Sequence, residues 1–172
     1  MKELTLPLKK EDIANLRAGD SVSLSGVILT ARDCAHKRIC EMLKKNEKLP
    51  FELKDAVIYY AGPCPAKTDK ASGSCGPTTS ARMESFAPWL FDIGLGAIIG
   101  KGEMNNEVRE AIIRNQSVYF AAIGGAGALY GNAITKSECI AFPDLLSEAV
   151  HRLEVKNFPA VVAYDSFGGS IY

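Results

Sequence analysis

Four short segments set cationic side chains and a hydroxyl beside glycine turns and helix starts: Thr30-Ala31-Arg32-Asp33, Gly76-Pro77-Thr78-Thr79-Ser80-Ala81-Arg82, Gly100-Lys101-Gly102 and Gly124-Gly125-Ala126-Gly127. A ligand with two carboxylates needs two cationic clamps, and arginine suits one because its planar fork takes both oxygens at once. Arg32, Arg82 and Lys101 are the candidates, although any one of them alone also reads as a surface charge. In the second segment Pro77 reads as a first helical position, where unpaired backbone N–H groups favour an anion. A helix starting there puts Thr78 and Arg82, four residues apart, on one face. Together the segments predict a dicarboxylate site.

Thr78 has two readings. Its hydroxyl can cap the helix, or it can move a proton if a partner group activates it, since threonine is a poor base at its free pKa. Thr79 and Ser80 compete for both roles, and spacing does not choose among the three. His36 lies one helical turn beyond Arg32, where it can support that arginine. His36 and His151 are the only histidines, and two isolated imidazoles make no metal site. Five cysteines, Cys34, Cys40, Cys64, Cys75 and Cys139, include no Cys-x-x-Cys pair and read as free thiols. If the chemistry needs an iron–sulfur cluster, another chain must hold it. The Gly124-Gly125-Ala126-Gly127 turn lacks both the Walker lysine and a full G-x-G-x-x-G pattern, so tight packing is its expected purpose.

The elements that must position these residues alternate. Gly19-Asp20 marks a turn, and Ser21 to Leu29 reads as a strand, or a strand pair broken at Gly26. Asp33 is placed to cap a helix with Ile39, Met42 and Leu43 on one face. Ala56 to Ala61 reads as a buried strand, and Gly62 to Gly76 as the longest irregular stretch, of a length that tends to be functional. Met83, Phe86, Ala87, Leu90 and Phe91 follow helical spacing with Pro88 as an expected kink. Strands are expected at Ala97–Ile99, Val118–Ala122, Arg152–Val155 and Ala160–Tyr164, with a helix from about Asn105 to Asn115 and a short one from Pro143. The class is α/β, with anion-prone turns where strands end.

At 172 residues the chain suits one domain, 1–172, able to bury ~70% of its unfolded surface. Lys plus Arg equals Asp plus Glu at 20 each, so the overall charge argues for neither nucleic acid nor an anionic membrane as partner. The first residues lack a continuous apolar stretch behind their lysines, and the apolar runs near Ile98 and Phe120 are too short to span a bilayer, which predicts a cytoplasmic protein.

With those residues in place the chain resembles the β subunit of two-subunit class I fumarate hydratases, equivalent to the C-terminal domain of the single-chain forms. The resemblance runs through Thr30-Ala31-Arg32-Asp33 and Ala35-His36-Lys37-Arg38, Gly62-Pro63-Cys64-Pro65-Ala66-Lys67, Gly76 to Met83, Gly100-Lys101-Gly102, Gly124-Gly125-Ala126, and Asn157-Phe158-Pro159 to Asp165. The Gly-Pro-Thr-Thr-Ser-x-Arg-Met segment is its most specific part, and Glu84 stands where many relatives carry aspartate. The resemblance implies a single swivelling β/β/α domain, a mixed sheet with flanking helices. It implies a [4Fe-4S] cluster bound by the partner α subunit and not by this chain. It also implies Arg32, Arg82 and Lys101 as substrate clamps and Thr78 as the proton-transfer residue, paired with an aspartate of the α subunit. The implied activity is hydration of fumarate to malate in a hetero-oligomer. L-tartrate dehydratase β subunits share the core motifs, and a non-catalytic carboxylate-binding or assembly domain is the alternative from another class.

Overall fold

A computed structural model describes residues 1–172. Seven strands and five α-helices follow one another as β1 (Lys2–Thr5), α1 (Lys10–Ala14), β2 (Ser21–Thr30), α2 (Asp33–Lys44), β3 (Val57–Tyr59), α3 (Ala87–Asp92), β4 (Ala97–Gly100), α4 (Asn106–Arg114), β5 (Val118–Ala121), α5 (Gly127–Ala133), β6 (Ile134–Ala141) and β7 (Val150–Tyr164), with 3₁₀ turns at Ser80–Met83 and Pro143–Glu148. They form one mixed sheet of order β1-β2-β3-β4-β5-β7-β6. The first five strands run parallel, while β7 runs antiparallel to β5, β2 and β6. Because β7 pairs with both β5 and β2, the strands β2, β3, β4, β5 and β7 close into a ring.

The apolar runs Val57-Ile58-Tyr59, Ala97-Ile98-Ile99 and Val118-Tyr119-Phe120 are buried throughout, as parallel strands covered on both faces must be. Successive side chains point to opposite faces. Val57, Tyr59, Ala97, Ile99, Val118 and Phe120 therefore fill the ring, where Phe158 lies 5.2 Å edge-on from Tyr59 and 4.5 Å from Tyr130. Ile58, Tyr60, Ile98 and Tyr119 face outward into a second core that α2, α3 and α4 cover. Each core holds 23 buried residues, one centred inside the ring and one between its outer face and the helices.

Several elements match the sequence closely. Asn105 caps α4 by accepting the Val108 amide at 3.1 Å, and β2 bulges where Gly26, at φ +134°, passes close to the Leu6 backbone. Other expectations need correction. No helix starts at Pro77. Thr79 instead lies alongside Lys101 as a parallel bridge, and the 3₁₀ turn that follows is too short to seat Thr78 and Arg82 on one helical face. Strand-end carbonyls thus outcompete the local helix signal. Pro88 does not kink a long helix but stands in the first turn of α3, although Met83, Ala87, Leu90 and Phe91 are buried as their spacing predicts. Asp33 opens α2 as its first residue, with Arg32 in the cap position. The two C-terminal strands are one, turned at Asn157, whose φ is +54°. The edge strands β1 and β6 carry too little apolar alternation to be read from sequence.

His36 is fully buried in α2, edge-on to Tyr60 at 5.3 Å and 5.6 Å from Phe86. Its Nδ1 sits 2.8 Å from the Arg32 carbonyl oxygen. A carbonyl only accepts, so Nδ1 carries the proton and donates it. Burial pushes the imidazole pKa down to about 4. The neutral ring therefore costs nothing above the unfolded value near 6.5. Below that pH the unfolded chain binds a proton that the folded one refuses, and stability falls until about pH 4. Between pH 7.5 and 4.5 this single group should cost roughly 2–3 kcal/mol. Urea unfolding at both pH values checks it: His36→Gln should lose less stability than wild type over that interval, and equal losses would remove His36 from the acid response.

Gly100 closes β4 against Ser80 and Tyr60: an added methyl would collide with the Ser80 hydroxyl and stand 3.0 Å from Tyr60 Cδ2. Gly100→Ala is expected to destabilise the fold by about 1–3 kcal/mol through overpacking. Thermal denaturation reads this directly, and an unchanged midpoint would show that the Ser80 side chain turns aside freely.

Candidate active site

The carboxyl ends of β2, β3, β4 and β5 share one edge, and the ladder continues beyond them. The Ala31 amide donates to the Tyr59 carbonyl at 3.1 Å, Tyr60 to Ile99 at 2.8 Å, and Ala122 to Gly100 at 2.7 Å. Onto this extended edge the returning chain is laid residue by residue: the Thr78 amide donates to the Tyr60 carbonyl at 2.6 Å and the Ser80 amide to the Lys101 carbonyl at 2.9 Å. Arg32, Thr78, Lys101 and Gly124 thereby come to one rim of the sheet, at the carboxyl ends of its parallel strands.

Arg32 is half-buried beside Gly62, whose Cβ position lies 3.4 Å from its Cδ. Its Nε is buried and has no hydrogen-bond partner. A buried guanidinium donor left unpaired is costly in free energy. Arg82 is different: it pairs with Asp33 through Nε–Oδ1 at 3.1 Å and Nη2–Oδ2 at 3.0 Å, with its side chain 52% exposed. An ion pair that open to solvent is worth little and can be exchanged for another carboxylate. Lys101 is half-buried between two glycines and is in no ion pair of the chain; its Cδ would lie 3.6 Å from a Cβ at Gly124.

The three neighbouring hydroxyls separate clearly. Ser80 is fully buried and contacts the Tyr119 hydroxyl at 2.9 Å. Since Tyr119 donates its own proton to the Gly102 carbonyl at 2.7 Å, Ser80 donates to Tyr119. Thr79 is exposed and caps nothing with its side chain. Thr78 is half-buried at the head of the ladder with its hydroxyl not engaged by the chain. Glu84 accepts the Asn105 amide at 2.8 Å and so anchors the start of α4. His36 lies beneath the rim and fixes the Arg32 carbonyl rather than the guanidinium.

Sequence reasoning did not anticipate Tyr60, whose carbonyl seats Thr78, or Asp33 as the partner of Arg82. Neither carries a sequence signal, because both roles arise from tertiary pairing. The Gly62–Gly76 stretch is irregular throughout but tied down: the Cys64 amide donates to the Ser74 carbonyl at 2.9 Å, Gly73 to Cys64 at 3.1 Å and Cys75 to Gly127 at 3.0 Å. Cys40 and Cys75 are buried and Cys34, Cys64 and Cys139 exposed, and no three His, Cys, Asp or Glu side chains stand together to hold a metal ion. Burial drives the Cys75 thiol up to about 12, and the Glu148 carboxylate beside Cys34 raises that thiol as well. No helix is long and apolar enough to cross a membrane.

Residues 2–172 match the family model described as Fumarase C-terminus. A Methanocaldococcus jannaschii protein with the provisional name L(+)-tartrate dehydratase subunit beta is 46% identical over 171 residues, covering 96% of this chain and 88% of that protein. Fumarate hydratase 2 of Leishmania major is 38% identical over 99% of this chain, and the aerobic class I fumarate hydratase of Escherichia coli K12 is 36% identical over all of it. In each of these two the match takes up 31% of the relative, so the chain corresponds to just under a third of their length. With the family model covering all but the first residue, the chain belongs to the fumarase C-terminus family.

Proposed function

We propose that this chain is the β subunit of a heteromeric hydro-lyase that reversibly hydrates fumarate to (S)-malate, in a site shared with an α subunit that holds a [4Fe-4S] cluster. The observation that carries the reading is the buried, unpartnered Arg32 Nε on the same rim as a lysine outside any ion pair and an unengaged threonine hydroxyl. A carboxylate oxygen satisfies that donor, and a second carboxylate suits the Lys101 ammonium or the Arg82 fork. Three family relatives from an archaeon, a protozoan and a bacterium carry hydro-lyase names, which supports the reaction class.

In the proposed reaction, water adds its hydroxyl to C2 and a proton to C3, and the reverse step removes both. Thr78 exchanges the C3 proton and passes it to an aspartate of the α subunit, which keeps the threonine oxygen competent in both directions. When the C3 proton leaves, negative charge spreads into the adjacent carboxylate, so the cation holding that group binds the transition state more strongly than the substrate. The rim thus supplies binding and one proton relay. The Lewis-acid chemistry belongs to the partner's cluster.

A second reading, dehydration of L-tartrate to oxaloacetate, is favoured by the 46% identical relative of similar length. Both substrates are dicarboxylates of the same backbone length, so the clamps serve either. The deciding experiment mixes this chain anaerobically with a cluster-loaded α subunit and offers fumarate and tartrate in turn, with each chain alone as control. Fumarate turnover only in the mixture is the expected result, tartrate turnover alone would select the second reading, and tight dicarboxylate binding without turnover would make the chain a binding domain.

In the active mixture, Thr78→Ala should lower kcat by on the order of 10²-fold or more with KM changed little. Arg32→Met or Lys101→Met should instead raise KM as well as lower kcat, with a combined loss in kcat/KM of the ~2–3 kcal/mol of a desolvated charged contact. Steady-state kinetics separate the two patterns, and a Thr78→Ala enzyme with wild-type kcat would exclude Thr78 from proton transfer.

A further inference from the structure

A separate cavity opens between the irregular stretch after β3 and α5. It measures about 310 Å³ and is lined by Lys67, Lys70, Ser72, Ser74 and Asn132, with no carboxylate in its wall. Neither Arg32, Thr78, Arg82 nor Lys101 borders it. The stretch folds back on itself to make one side: the Gly73 amide donates to the Cys64 carbonyl at 3.1 Å, and the Lys70 amide to the Lys67 carbonyl at 3.0 Å closes the tip. The other side is α5, brought close because Gly131 has no side chain to hold it off the Gly73 carbonyl. Lys70 Nζ joins the two by donating to Asn132 Oδ1 at 3.0 Å.

The polar groups of this wall are matched to a ligand rich in acceptors. Lys67 and Lys70 are in no ion pair of the chain. With its oxygen taken by Lys70, the Asn132 side chain has only N–H donors left to offer. Ser72 supplies the independent observation. It is 3% exposed, and its hydroxyl has no hydrogen-bond partner, whereas the buried hydroxyls of Thr30 and Ser80 are both paired. A hydroxyl removed from water and left unpaired is costly, and such a group in a cavity wall marks a place for a bound acceptor. Ser72 also borders a neighbouring cavity with Cys139 and His151, but no lysine or arginine lines that one.

We propose that the cavity between Lys67, Lys70, Ser72 and Asn132 binds phosphate, as the free ion or as the phosphoryl group of a small ester. Donors reach it from the loop tip, the returning strand of the loop and α5. A tetrahedral group with three or four oxygens can meet all three directions, which a planar carboxylate cannot, and lysine suits phosphate as a point charge. A bound phosphate would tie the loop to α5. This site is independent of the hydration chemistry proposed for the rim.

The test titrates the full chain, in phosphate-free buffer, with inorganic phosphate, glycerol 3-phosphate and succinate, read by calorimetry and amide chemical shifts. Phosphate should bind saturably, move the Gly73 and Asn132 amides, and weaken as sodium chloride is raised. Tighter binding of the ester would assign an organic phosphate, and tighter binding of inorganic phosphate the free ion. Lys67→Met and Lys70→Met should each weaken binding by about two- to fivefold, as expected for solvent-screened charges, and Ser72→Ala by on the order of tenfold. Lys101→Met should leave phosphate binding unchanged, which separates this cavity from the rim.

Ser72→Ala also separates binding from folding. Removing an unpaired buried hydroxyl should leave the thermal midpoint at or above that of wild type in phosphate-free buffer. In saturating phosphate, where a ligand raises the midpoint by mass action, the variant should fall below wild type. Absence of saturable binding, phosphate shifts confined to the rim, an equal phosphate response of wild type and Ser72→Ala, or succinate binding the same amides as tightly as phosphate would each overturn the proposal.

Discussion

Two backbone carbonyls hold the candidate site together. Those of Tyr60 and Lys101, at the ends of adjacent parallel strands, accept the amides of Thr78 and Ser80 and convert a segment with helix-start chemistry into an extended one. Because the two strands are in register, the accepted residues are in register too. Thr78 is placed relative to Lys101 by the strand spacing and not by any side-chain contact. The outer core then fixes the strands themselves: Tyr60 and Tyr119 point away from the ring, and the Ser80–Tyr119–Gly102 chain of hydrogen bonds locks the returning segment from below. A rim built this way is fixed along its backbone and leaves the side-chain tips of Arg32, Thr78 and Lys101 less constrained.

The same arrangement explains which residues are internal and which face out. Ser80 and His36, both polar, point into the outer core and are buried; each makes one hydrogen bond that fixes a neighbour, Tyr119 in one case and the Arg32 carbonyl in the other. Arg32 is held at its backbone while its Nε lacks a partner, whereas Arg82 is held at its guanidinium by Asp33 in an exposed pair. An acceptor brought to Arg32 would supply a missing hydrogen bond, whereas one brought to Arg82 would replace an existing one.

Much of this was legible in the sequence because it depends on local chemistry. The apolar runs at residues 57–59, 97–99 and 118–120 announce buried parallel strands, Asn105 announces a helix start, and glycines at 62, 100, 102 and 124 mark where strands end. The three segments that carry Arg32, Thr78, Arg82 and Lys101 were legible for the same reason. What was not legible depends on partners distant in the chain. Pro77 and the hydroxyls after it satisfy the rules of a helix start, and only the strand-end carbonyls overrule them. The choice among Thr78, Thr79 and Ser80 needs the Tyr119 hydroxyl, 39 residues beyond Ser80. Edge strand β1 has a single strongly apolar residue, Leu4, and pairs only because β2 offers it a free edge.

The long last strand has a consequence for synthesis. β7 is the element that turns a row of parallel strands into a ring, and it pairs with β2 across more than a hundred intervening residues. Until it emerges from the ribosome, both β2 and β5 expose unpaired backbone along the edges it will fill, so the interior aromatics Tyr59 and Tyr130 wait for Phe158. Closure of so distant a pair carries a large entropic cost before any contact rewards it, which places this domain among slow folders. The nascent chain is therefore most exposed to misassociation just before its final strand is complete.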